Sequence, residues 1–220
     1  ANIGLLESKL VDVFAIDVLD RTAGNSDFVV LKNAASYSNC AVSAEGYATI
    51  LGAIEAGQLG AGSTAGLCLG SFAGQEAAFG LGNVSYVDGD GSSRTVGALT
   101  PFDGINKDLR DNNLPGSPDT TLNLAAEYTF PSLGNSSWDL TIRGDYYYQT
   151  ESFARIWNVP RDELSSWENV NLSLVLANND TGFQITAFAK NLFDEEVITG
   201  AYLQDDSPGL YSNVFLTEPA

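Results

Sequence analysis

The sequence has no histidine and no methionine, and only ten Lys and Arg stand against 28 Asp and Glu. Without histidine, a Ser-His-Asp triad, a Cys-His pair and a His-ligated zinc site are impossible within the chain. Carboxylate pairs remain open, since so many acids fall close together by chance. The net charge of −18 argues against nucleic acid as a partner, because phosphate binding needs a basic surface. Cations, or surroundings that are already anionic, suit it better. The missing methionine implies that residue 1 is not at an initiation codon, and Ala1 to Leu6 reads as a strand already under way. No signal-peptide pattern is recognisable, and no apolar run approaches the roughly 20 residues of a spanning helix. The chain is therefore expected to be soluble or to enter a membrane as β-strands.

What is present suffices for a core: 220 residues, 44% of them apolar, enough for one large domain or two small ones. The two cysteines, Cys40 and Cys68, lie in a Gly/Ala/Ser-rich region. An even count without zinc spacing or a CxxC pattern favours a disulfide and an oxidising compartment. Two buried free thiols remain the alternative.

The second half shows period-2 alternation, the mark of strands with one apolar and one wet face. In Thr121 to Phe130, Leu122, Leu124, Ala126, Tyr128 and Phe130 are apolar, with Thr121, Asn123, Glu127 and Thr129 between them. In Trp138 to Gln149, Trp138, Leu140, Ile142, Tyr146 and Tyr148 alternate with Asp139, Thr141, Arg143, Asp145 and Gln149. Asn169 to Ala177 aligns Val170, Leu172, Leu174 and Leu176. Gly182 to Asn191 aligns Phe183, Ile185, Ala187 and Ala189, with Phe188 as an exception. Runs of about ten residues cross a bilayer when tilted. Residues 131–137 and 178–181 make short connections, whereas 150–166 and everything after Asp194 are longer. Membrane barrels show this asymmetry, and aromatics near strand ends suit their interfacial girdles. A soluble sheet with edge aromatics fits the pattern equally.

The first half lacks sustained alternation. Residues 1–9 read as a strand and 10–117 as a long loop region with one helix, Ser43 to Ala56. Ser43 would cap that helix, and Tyr47, Ile50, Leu51 and Ile54 form its apolar stripe. So long an irregular stretch is unexpected inside a compact domain but natural as an extracellular loop of a large barrel. Asp88-Gly89-Asp90-Gly91-Ser92 is similar to the start of a calcium loop. The EF-hand pattern needs Glu at its twelfth position, which here is Leu99, so a flexible acidic loop is expected and no metal site. Phe153, Arg155, Trp157 and Arg161 form a basic-aromatic cluster in the 150–166 loop. It could grip an anionic or sugar ligand. Such clusters more often pack against neighbouring loops or pair with lipopolysaccharide.

The segment Ala187 to Asp194, AFAKNLFD, resembles the penultimate-strand motif of TonB-dependent outer-membrane receptors, in which Asn-Leu-Phe-Asp closes the strand. Ile198-Thr199-Gly200-Ala201-Tyr202, Gly209-Leu210-Tyr211 and Thr217-Glu218-Pro219 are similar to that family's last outer loop. The Arg-x-Asp-Tyr-x-Tyr core of the Trp138 strand and the opening Ala1-Asn2-Ile3-Gly4-Leu5 also fit. The resemblance implies an all-β fold: antiparallel up-and-down strands, part of a 22-stranded transmembrane barrel with a plugged lumen. This chain would supply strands 17 to 21, the meander over 118–192 and the last outer loop over 193–220. The plug, the TonB box and the final strand would lie outside it. The implied function is uptake of a scarce nutrient (siderophore, cobalamin, haem or oligosaccharide) without covalent chemistry or cofactor. The implied partners are outer-membrane lipid, lipopolysaccharide, the nutrient, and TonB through the missing plug region. The main rival is a secreted soluble β-sandwich that binds carbohydrate, and a carboxylate-pair glycosidase is a distant third.

Overall fold

The computed structural model describes residues 1–32, 39–203 and 212–216. The fold is all-β, with antiparallel sheets and few helices. The described residues divide into two compact units, one of Val11–Arg110 and one of Ala1–Leu10 with residues 111–203 and 212–216.

The second of these is organised by a five-stranded antiparallel sheet. Its strands are Asn2–Leu5, Thr120–Phe130, Trp138–Gln149, Trp167–Asn178 and Gln184–Ala189, in that spatial order. The last four run as an up-and-down meander. Their bounds lie within two residues of the alternating runs, because side-chain alternation fixes register where the two faces differ. Among the described residues the sheet is open, with edges at Asn2–Leu5 and Gln184–Ala189, so no closed 22-stranded barrel forms. Beyond it, Ile198–Leu203 pairs with Ser212–Leu216 in a hairpin where only a loop is expected. Gly209 to Tyr211 and Thr217 to Ala220 lie outside the described residues.

The Val11–Arg110 unit departs most from expectation. It is not a largely irregular loop: it holds three two-stranded sheets, a helix, 3-10 turns and two hydrophobic clusters. Its central strand, Asn39–Ser43, is buried on both faces. Cys40 and Val42 join Ile50, Leu67, Phe72 and Leu81 on one side, and Ala41 joins Phe28, Val84 and Ile105 on the other. The helix runs Ala44–Glu55, and the Ser43 hydroxyl accepts the Gly46 N–H at 3.2 Å as its N-cap. Ile50 is buried and Tyr47 and Ile54 pack on the cluster, but Leu51 turns outward. Gly46 is required here, since a Cβ would sit 2.9 Å from the Gly80 carbonyl oxygen and 2.7 Å from Leu81. The Cys40–Cys68 disulfide, with a Cα–Cα distance of 5.6 Å, ties the strand before the helix to the turn of Ser63–Leu69 after it.

Candidate functional site

The candidate site is the five-stranded sheet itself, because its two faces differ and none of its strand residues is buried. Directly paired residues share a face, so the register sorts the side chains. One face carries Phe130, Leu140, Leu176 and Ile185 as one row across four strands. Tyr128, Ile142, Leu174 and Ala187 form the next, and Leu124, Tyr146 and Val170 lie further along. Tyr128 is 62% exposed and Ile185 50%. Aromatic residues bracket this face. At one end Trp138 meets Phe183 edge-on at 6.2 Å, and Tyr128 meets Phe130 at 4.6 Å. At the other stand Tyr146 and Tyr148, where the Tyr146 hydroxyl donates to Glu168 at 2.6 Å.

The opposite face is polar. Glu127, Arg143 and Ser173 make one row, Ala125, Asp145 and Asn171 the next. Beyond these lie Asn2, Asn123, Tyr147 and Asn169, then Thr121, Gln149 and Trp167. Arg143 grips Asp145 through Nε at 3.0 Å and Nη2 at 2.7 Å, with Glu127 at 3.7 Å. A cavity of about 400 Å³ opens beside this pair, lined by Asn2, Asn123, Asn171 and Tyr147. Phe188, 71% exposed, is a large apolar side chain that breaks the pattern, and Trp167 and Val175 also fall on this face.

The two short connections are stitched together at one end of the sheet. Asp139 accepts the Ser132 N–H at 2.8 Å and the Asn179 side-chain amide at 2.9 Å. At the other end lies the 150–166 loop with the four residues expected to meet a ligand. It brings Arg155 and Trp157 together, the guanidinium 5.0 Å from the ring centroid, but turns Arg155 inward. Arg155 Nε donates to Asp162 at 2.7 Å, and the two side chains are 11% and 4% exposed. Phe153 pairs with Glu163 in a two-residue strand, and its carbonyl accepts from Gly116. Arg161 is exposed on the 3-10 turn Pro160–Asp162. The structure thus brings Arg155 and Trp157 together, and a buried carboxylate seven residues on holds the charge of Arg155.

The Asn-Leu-Phe-Asp segment ends the sheet. Asn191 is buried with φ 48°, its N–H donates to Asn171 Oδ1 at 3.0 Å, and Leu192 N–H donates to the Val170 carbonyl at 2.8 Å. The Asp88–Ser92 segment is the turn of the hairpin formed by Val84–Val87 and Ser93–Val96. Arg94 lies 3.1 Å from Asp88 and 3.0 Å from Asp90, and Asp88 also accepts from Asn106 at 2.9 Å. Among the described residues no cluster of three or more acids, cysteines or histidines is placed to hold a metal ion.

Sequence reasoning passed over the polar-face asparagines. Their signal was there: Asn is depleted in strands, yet Asn2, Asn123, Asn169 and Asn171 all fall in strands and on one face. Comparison with protein-family models, with curated proteins and with solved structures finds no match to this chain.

Proposed function

We propose that the sheet is part of the wall of a TonB-dependent outer-membrane receptor that takes up a scarce nutrient. Its apolar face would meet lipid and its polar face the lumen. The observation that supports this reading is a sheet with two unlike faces and no buried strand residue, its apolar rows bracketed by aromatics. From Trp138 to Tyr148 the strand rises about 33 Å at roughly 3.3 Å per residue. Tilted by about 40°, that spans about 25 Å, the height of the apolar band of outer-membrane barrels. A soluble sandwich would bury such a face against a second sheet, and Tyr128 and Ile185 would not remain half exposed or more. The Asn-Leu-Phe-Asp turn adds the family resemblance. On this reading Val11–Arg110 is an extracellular domain, and the function is transport without catalysis.

The test compares two substitutions on neighbouring positions of one strand in the full-length receptor. Leu174 lies on the apolar face, opposite Ile142 and about midway between Trp138 and Tyr148; Ser173 faces the other way. Leu174→Arg is expected to cost assembly about 2–4 kcal/mol near the bilayer midplane, while Ser173→Arg is tolerated. Equal effects would remove the membrane reading.

A further inference from the structure

The asparagines on the polar face need an explanation, since Asn is depleted in strands where Thr and Val are favoured. Asn2, Asn123, Tyr147 and Asn169 stand in one row across four strands, each directly opposite the next. Three inter-strand spacings make that row about 14 Å wide. Asn171 lies one step along the strand from Asn169, opposite Asp145. The side-chain amides of Asn2 and Asn123 bond to nothing among the described residues, and Asn169 Oδ1 is buried with its acceptor unused. Asn171 uses its oxygen on the Asn191 N–H and keeps its amide donors. Tyr147 donates its hydroxyl to Gln149 at 2.7 Å and keeps acceptor capacity. Its ring lies 4.9 Å from that of Trp167, at 47°. Asn2, Asn123, Tyr147 and Asn171 line a cavity of about 400 Å³, and Asn169 stands next to Tyr147 in the row just outside that lining.

The charges at this place select the ligand. Arg143 is bound through two nitrogens to Asp145 and flanked by Glu127, so it offers no spare positive charge to an anion. Neutral amides that both donate and accept, with the Tyr147 ring among them, match a ligand that presents hydroxyls at its edges and C–H groups on its faces. We propose that this row is a binding surface for a neutral oligosaccharide. The proposal rests on the reading of the sheet as a receptor wall, and it names the class of nutrient. Haem and carboxylate-rich iron chelates are disfavoured, because they need the cation that Arg143 has already spent on Asp145 and Glu127.

The full-length receptor in lipid nanodiscs is titrated with maltohexaose, xylohexaose, cellohexaose and mannohexaose, followed by tryptophan fluorescence and calorimetry, with haem as the anionic comparison. At least one hexaose is expected to bind saturably, and haem is expected not to compete with it. Asn123→Ala and Tyr147→Ala should each weaken that hexaose at least tenfold without altering assembly. The exposed Lys9→Ala change, outside the row, should leave it within twofold. No hexaose binding, competition by haem, or row variants that bind as the parent does would each overturn the proposal. If this happens while Leu174→Arg and Ser173→Arg still differ in assembly, the receptor reading stands and only the ligand class falls. If those two no longer differ, both fall together.

Discussion

Asn191 holds Glu195 with both ends of its side-chain amide: Oδ1 accepts the Glu195 N–H at 3.0 Å, and Nδ2 donates to the Glu195 carbonyl at 3.1 Å. The residue also sits at φ 48°, where Asn is tolerated and most side chains are strained. Asn191→Gly should therefore cost about 1–2 kcal/mol, from the lost bonds alone. Asn191→Ala should cost about 1 kcal/mol more, because it adds the left-handed backbone penalty. Guanidinium unfolding of the receptor from vesicles measures both. Equal losses would show that the backbone conformation is not held as described.

The Arg155–Asp162 pair predicts an asymmetry between single and double variants. Arg155→Met leaves a carboxylate at 4% exposure without its cation, which costs about 3–5 kcal/mol where a buried pair is broken. The double change Arg155→Met with Asp162→Leu should cost far less than either single change. Hydrogen exchange of peptides covering 150–166 reads the loop directly. Additive losses would mean the two charges do not depend on each other.

Asp20 supplies a pH dependence in the Val11–Arg110 unit. Burial alone would raise its pKa, but the Lys107 ammonium at 2.7 Å, the Gly24 N–H and the Thr22 hydroxyl outweigh it and hold it below the usual aspartate value. A carboxylate lowered on folding contributes stability above its unfolded pKa of about 3.9, and that contribution is lost as pH falls through the folded value. Exchange protection of Phe14–Ile16, whose strand contains the partner of Lys107, should thus drop below about pH 4. Lys107→Met should lower protection at neutral pH and flatten the acid response. An unchanged acid response in that variant would exclude the pair as its source.

The disulfide closes a separation of 28 residues. Replacing both cysteines by alanine should destabilise the Val11–Arg110 unit by about 3–4 kcal/mol on the chain-entropy model. Alkylation of the denatured, unreduced chain should label no thiol. Two labelled thiols would contradict the bond.

The legible part of the fold was the part with one wet face. Trp138–Gln149 alternates along most of its length, broken only at Gly144 and Tyr147, and its ends coincide with those of the strand. Asn39–Ser43 and Phe28–Lys32 gave no such signal. Cys40 and Val42 enter one cluster while Ala41 enters another, so a strand buried on both sides carries no period of two. Ser43 announced the helix because its cap is local in sequence. The partner of Arg155 was not legible because it depends on tertiary structure: the turn at Pro160–Asp162 brings a carboxylate beside it. The asparagine row escaped notice because it becomes a row only when four strands are placed in register.

On the receptor reading proposed above, Leu174 faces lipid and Ser173 a wet lumen. Because Cys40 and Cys68 are bonded to each other, a cysteine introduced at either position takes a nitroxide label selectively. Collision of the label with oxygen and with a water-soluble nickel chelate is then measured in the full-length receptor in vesicles. A Leu174→Cys label is expected to meet oxygen readily and the chelate scarcely, and a Ser173→Cys label to show the reverse. A Leu174→Cys label shielded from both, or equal profiles at the two positions, would contradict that reading.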